Sequence, residues 1–178
     1  AVMVWVFRRE KKGEDLLNKL FLYVFVAVVA GARLGHCLFY SPEYYLSNPL
    51  EILKIWEGGL ASHGAAAGIL IALMLYARRT PGMTFFWTTD RVSIVIPLAA
   101  IFVRLGNFFN SEILGLPADV PWAVIFSRID DVPRHPVQLY EAAAYIVIFL
   151  VMLLMYRRGA AARAGRLTGS MVAMLFSM

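Results

Sequence analysis

Apolar residues in this chain neither alternate nor recur on one helical face; they run together. Four long runs stand out, at about 20–40, 60–77, 92–110 and 138–156, separated by short polar stretches. The hydrocarbon core of a bilayer is about 30 Å thick, and a helix needs about 20 mostly apolar residues to cross it. The four runs therefore read as transmembrane helices, and two shorter ones, 1–7 and 167–178, as partial spans. The expected fold is all-α: a polytopic membrane helix bundle with about four complete transmembrane helices plus two partial ones. Residues 1–178 read as a single integral-membrane domain.

Composition agrees with the pattern. Of the 178 residues 60% are hydrophobic and 16% charged, against about 45–50% apolar in soluble domains. The net charge of +5 would suggest a nucleic-acid partner in a soluble domain. Here the charge is confined to blocks between apolar runs, so it reads as topology and no nucleic acid is expected. Counting Lys and Arg, segments 8–19, 41–59, 78–91, 111–137 and 157–166 carry five, one, three, two and four. The positive-inside rule places the rich segments in the cytoplasm and the poor ones outside. Trp56, Trp122, Tyr44 and Tyr45 lie in the poor segments, where an interfacial aromatic belt belongs. A single cysteine, Cys37, excludes an internal disulfide framework and reads as packing rather than a nucleophile.

On that topology the misplaced polar residues sort to one side. Arg33 lies late in an outward-going span, and Arg104, Asn107 and Asn110 lie in the last third of another. His63 opens an inward-going span from its outer end, and "RHPVQLYE" (134–141) opens the next. An arginine at a helix centre costs about 2.5–3.5 kcal/mol on insertion scales, so it is expected to face a cavity or partner. One wet, anion-friendly cavity at the outer leaflet accounts for the sorting.

Arg104 and Asn107 stand at i, i+3 and share a helix face, with Ser111 a further turn along. A guanidinium binds phosphate through paired, permanently charged contacts, which makes Arg104 a candidate phosphate ligand. The alternative is snorkelling, or an ion pair with Glu112 or Glu141. Asn110 points elsewhere and reads as a helix cap. Arg33, opposite the Gly31/Gly35 face, is either a second phosphate contact or a snorkelling side chain. His63 precedes Gly64 and Gly68; its ordinary pKa suits a base near neutrality, with a packed structural histidine as the alternative. His135 precedes Pro136 at a helix start, and Glu141 suits the positive end of that helix. No metal site is expected: HExxH is missing and the three histidines lack i, i+4 spacing. No cofactor is implied.

Four stretches carry a resemblance: "GARLGHCLFY" (31–40), "WEGGLASHGAAAG" (56–68), "RLGNFFNSEILG" (104–115) and "RHPVQLYE" (134–141). In order and spacing they resemble the bacterial prolipoprotein diacylglyceryl transferases. The resemblance implies transfer of the diacylglyceryl group of phosphatidylglycerol to the lipobox cysteine thiol of prolipoproteins, releasing glycerol 1-phosphate. This is the first step of bacterial lipoprotein maturation. It implies as partners phosphatidylglycerol, the prolipoprotein signal peptide and the bilayer. It also implies a multi-pass place in the cytoplasmic (inner) membrane, with the active site toward the outer leaflet. By resemblance Arg104 binds the lipid phosphate, His63 matches the proposed thiol base, and Asn107, Glu112 and Gly115 match further signature positions. Arg33, Asn110 and His135 are taken as substrate-binding, and Asp90 matches a recurrent position.

The sequence departs from the family pattern at two places. Val103 stands where glycine is usual, and Ala65 replaces the second glycine after the histidine. A tyrosine and an arginine that the family needs fall outside these residues, so the chain reads as an internal fragment, inactive alone. The rival classes are a multi-span transporter for an anionic solute and a non-catalytic membrane scaffold. A transporter would bind near the midplane, using broken helices. A scaffold explains the GxxxG faces but not the Arg–Asn–His group.

Overall fold

The computed structural model describes residues 1–177. It is built from seven α-helices: α1 Val2–Arg9, α2 Glu14–Phe39, α3 Pro42–Ser47, α4 Ser62–Arg79, α5 Phe85–Phe109, α6 Val137–Arg157 and α7 Arg166–Phe176. All four expected spans are helices, as are the two partial ones. Three of them, α2, α5 and α6, are long and apolar enough to cross a membrane. The fourth, α4, has 18 residues, and its small N-terminal residues and the Arg78–Arg79 end make it less apolar. Only 28%, 17% and 22% of the three spans is buried within the chain. Phe21, Phe25, Leu38 and Phe102 are among the large side chains left outward. A soluble protein rarely leaves so much contiguous apolar surface, whereas lipid covers it at no cost. The chain is a multi-pass membrane protein.

Its contacts divide into two compact units, Ala1–Thr88 and a second beginning at Thr89. In the first, α2 packs along α4. Gly31 and Gly35 of α2 meet Gly64 and Gly68 of α4, and a Cβ on Gly35 would stand 2.7 Å from the Gly64 Cα. Two GxxxG faces thus interlock, bringing the backbones together where no side chain intervenes. Below them the Tyr76 hydroxyl donates to the Leu16 carbonyl at 2.9 Å. Phe7 of α1 sits edge-on to Trp87, whose indole donates to Glu10 at 3.0 Å.

In the second unit α6 and α7 pack together. Asp90, fully buried on α5, reaches the start of α7. Its carboxylate accepts the Gly165 and Thr168 amides, both at 2.9 Å, and the Thr168 hydroxyl at 2.8 Å. A helix N-terminus leaves amides unpaired and is electropositive, and Asp90 answers both needs from another helix. Between α5 and α6 two short antiparallel strands, β1 Val124–Ile125 and β2 Pro133–Arg134, close a loop. The hydropathy pattern gives no sign of them, since each is only two residues long.

Candidate active site

The polar residues of the second unit gather where α5 ends and α6 begins. Helix α5 stops at Phe109, and Ser111 and Ile113 take left-handed backbone angles of 58° and 53°. Such angles are uncommon outside glycine, and here they turn the chain sharply. Asn110, expected as the cap, donates its amide to the Gly106 carbonyl at 2.9 Å and is exposed. The left-handed position falls one residue later, and Ser111 lies beyond the helix instead of on its face.

Arg104 and Asn107 share one face of α5, as their spacing requires. The Arg104 side chain is 22% exposed, and its Nε stands 2.9 Å from Glu141 Oε2 on α6. Of the two ion-pair partners the sequence offers, Glu141 is the one chosen. The alignment is not that of a hydrogen bond, and Glu141 Oε2 has no hydrogen-bond donor. The terminal nitrogens of Arg104 make no hydrogen bond among the described residues. Glu112, after the turn, instead receives the Asn107 amide nitrogen on its carboxylate at 2.8 Å. Its carbonyl receives Gln138 Nε2 at 2.6 Å. Two sets of contacts therefore tie α5 and its turn to α6: the Arg104–Glu141 pair, and the chain from Asn107 through Glu112 to Gln138.

The return strand closes on this turn. Gly115 is buried, and a Cβ there would run into the His135 carbonyl and stand 2.8 Å from Val137 Cγ1. A side chain at 115 would push the β2–α6 junction away from the turn. His135 is half-buried, its Nδ1 3.1 Å from the Tyr140 hydroxyl, which also accepts the Trp122 indole N–H at 2.6 Å. The hydroxyl proton is then free to point at Nδ1, which favours the Nε2–H tautomer of a neutral His135. Arg134 is held by Asp130 at 2.6 Å. That bond holds the Asp130 carboxyl below its usual range.

In the first unit His63 is exposed at the start of α4, with Phe39 edge-on at 5.0 Å between ring centres and Tyr40 at 5.9 Å. Tyr40 stacks on His36 at 5.4 Å. Arg33 is 4% exposed and is spent on backbone. It donates to the carbonyls of Ile52, Gly58 and Glu51 at 2.9, 2.6 and 2.6 Å, and lies over the Tyr45 ring. Of the two roles open to Arg33, this geometry favours neither phosphate contact nor snorkelling. It ties down the 51–59 loop. Gly59, at φ 70°, passes so close to His36 that a Cβ would stand 2.6 Å from the ring. Cys37 is buried, in keeping with a packing role.

The family model for prolipoprotein diacylglyceryl transferase matches residues 1–178. The chain belongs to that family. Among its relatives is a phosphatidylglycerol–prolipoprotein diacylglyceryl transferase of Tolumonas auensis, 48% identical over 99% of this chain and 68% of its own length. One of the same name from Chloroherpeton thalassium is 50% identical over 99% of this chain and 66% of its own. Another, from Bacteroides fragilis, is 44% identical over 88% and 60%. The chain thus spans about two thirds of the length of the curated relatives it matches. The stretch 104–115 that carries the resemblance runs from the last turns of α5 into the turn after it, and from it Arg104 meets Glu141 and Glu112 meets Gln138 of α6. Sequence reasoning placed Gln138 within the 135–141 motif but gave it no role of its own. Its signal is position: a glutamine at the very start of an apolar span, three residues before a carboxylate on the same face.

Proposed function

We propose that the protein containing this chain transfers the diacylglyceryl group of phosphatidylglycerol to the lipobox cysteine thiol of a prolipoprotein. The single observation that carries this reading is Arg104. It is a largely buried guanidinium late in a membrane span, with its Nε edge against Glu141 and its terminal nitrogens uncommitted. A buried cation held on one edge and open on the other is suited to a phosphodiester.

In the proposed step the acceptor sulfur bonds to the terminal glyceryl carbon of the lipid, and the bond from that carbon to the phosphate oxygen breaks. The electron pair leaves on oxygen, giving glycerol 1-phosphate, and Arg104 offsets the growing charge. The thiol, with a pKa of about 8.5 when free, loses its proton to a base. His63 is the proposed acceptor of that proton, and its exposure at a helix start leaves it accessible. Asn107 and Glu112 hold the turn that presents Arg104, and Gly115 lets the chain close behind it. Asn110 and His135 are the proposed further substrate contacts, and Arg33 acts through the loop it ties.

We further propose that the protein lies in the bacterial cytoplasmic membrane with Arg104 toward the outer leaflet. The alternation of Lys and Arg between segments supports that orientation. Residues 1–178 are read as one integral-membrane domain, in line with the extent of the family match. Incubating the purified intact protein with phosphatidylglycerol and a lipobox peptide tests the reading. Thioether-linked diacylglyceryl peptide and glycerol 1-phosphate should form in equal amounts. Phosphate-lipid binding without either product would point to a carrier instead.

A further inference from the structure

A histidine that takes a proton from a thiol has to be held in one direction, and hydrogen bonds do not hold His63. Neither of its ring nitrogens makes one among the described residues. Its ring contacts are with the end of α2: Phe39 edge-on at 5.0 Å, and Tyr40 at 5.9 Å with 35° between the planes. Both of those rings are exposed, so neither is there to fill a core. The Tyr40 hydroxyl also makes no hydrogen bond among the described residues, which leaves the ring as the part of that side chain that engages its neighbours. Phe39 lies one turn beyond Gly35, and His63 one residue before Gly64. The close approach of those two glycines therefore delivers the histidine to the rings.

The support continues behind Tyr40. His36, one turn back, stacks on its ring at 5.4 Å with 16° between the planes, and Tyr45 stands edge-on to His36 at 6.0 Å. Arg33 covers the Tyr45 ring at 5.1 Å and is itself anchored on three loop carbonyls. Arg33, His36 and Tyr40 stand at i, i+3 and i+7, one stripe of α2. The Gly59 backbone crowds the His36 ring and limits its freedom. These stacked and edge-on contacts are the arrangements that aromatic rings favour. A ladder of rings thus runs from a buried arginine to an exposed histidine. We propose that Phe39 and Tyr40 are positioning residues for His63, with His36 as the support behind Tyr40. The rings fix the direction of the imidazole and leave both nitrogens open, one to accept the thiol proton and the other to release its own to water. This deepens the reading above and rests on His63 as the base.

The test measures lipidation of a lipobox peptide by the intact protein in phosphatidylglycerol nanodiscs. It compares Tyr40→Phe, Tyr40→Leu, His63→Gln and the double variant Tyr40→Leu/His63→Gln. Tyr40→Leu should lower kcat about tenfold with peptide KM within about twofold, because a base that wanders costs rate rather than binding. Tyr40→Phe keeps the ring and should keep most of the rate. With His63→Gln in place, Tyr40→Leu should cost no more than about twofold further, since it acts through the histidine. Unchanged kcat in Tyr40→Leu overturns the proposal, as does an equal loss in Tyr40→Phe or a comparable further loss in the double variant. In each of those cases a slow His63→Gln leaves the thiol-base reading standing. Full rate in His63→Gln removes that reading, and this proposal with it. One measurement needs no Tyr40 variant to fold: the His63 ring-proton resonances of the isotope-labelled protein, identified by their loss in His63→Gln. Ring currents should displace them from the positions of free histidine, and resonances at those positions overturn the proposal.

Discussion

Glu141 holds Arg104 by one edge: Oε2 lies 2.9 Å from Nε, and the side chains are 35% and 22% exposed. The pair neutralises a charge that lipid alone would not tolerate, and it fixes where the free end of the guanidinium points. Glu141 lies one turn into α6 and Arg104 about one and a half turns before the end of α5, so the contact also joins the two helices.

Replacing Glu141 by Gln should therefore loosen Arg104 without removing it. Breaking a fully buried pair costs about 3–5 kcal/mol, and partial exposure here reduces that to about 1–2 kcal/mol. Thermal unfolding in detergent should show a lower Tm. Turnover of phosphatidylglycerol should fall about tenfold, because an unsupported arginine spends less time in the productive position. Unchanged Tm and turnover would mean the pair does not hold Arg104.

Asp90 is a structural tie. Its carboxylate takes two amides and a hydroxyl at the start of α7, and the loss of a good N-terminal cap costs about 0.5–2 kcal/mol. Asp90→Ala should speed hydrogen exchange at the Gly165 and Thr168 amides while leaving α2 and α4 protected. Exchange that stays slow at both amides would contradict the role. The sequence marks Asp90 as a recurrent position by resemblance but gives it no role. That it caps a helix 75 residues away depends on tertiary packing.

What could be read from the sequence follows from where the physics is local. Span length and hydropathy fix the ends of α2, α5 and α6 within one residue and the start of α6 likewise, but α2 and α5 begin at Glu14 and Phe85, earlier than the apolar runs, because polar residues occupy much of their first two turns. The glycine spacing 31/35 and 64/68 marks the close face of α2 and α4, because only glycine allows backbones to touch. Arg104 and Asn107 share a face because i, i+3 dictates it. Arg33 could not be settled this way, as its partners are carbonyls of a loop with no sequence signature. Gln138 was given no role of its own because its partner is the Glu112 carbonyl, a backbone atom with no sequence signature.

The loop before α6 should respond to acid. The hydrogen bond from Arg134 lowers the Asp130 pKa, so the folded loop is favoured while that carboxylate is charged. The contribution is fully present above the ordinary carboxylate value, about 3.9. It is lost as pH falls through the lower value of the folded state. Tryptophan fluorescence from Trp122 should stay constant from about pH 5 to 8 and change only in stronger acid. A change centred near neutrality would assign the transition to another group.

The central claim is that Arg104 carries the lipid phosphate. The most direct measurement pairs the folded yield of the intact protein with its rate of lipobox-peptide lipidation for the unaltered chain, Arg104→Lys and Arg104→Ala. All three should insert, because deleting a charge from a span does not hinder insertion, while Arg104→Ala should share the lower Tm expected from losing the Glu141 pair. Arg104→Lys should keep part of the activity, since charge survives while the planar fork is lost. Arg104→Ala should fall by about 100-fold or more, as with other lost transition-state donors. Normal turnover in well-folded Arg104→Ala would contradict the assignment, whereas reduced yield at unchanged specific activity would make Arg104 a structural residue.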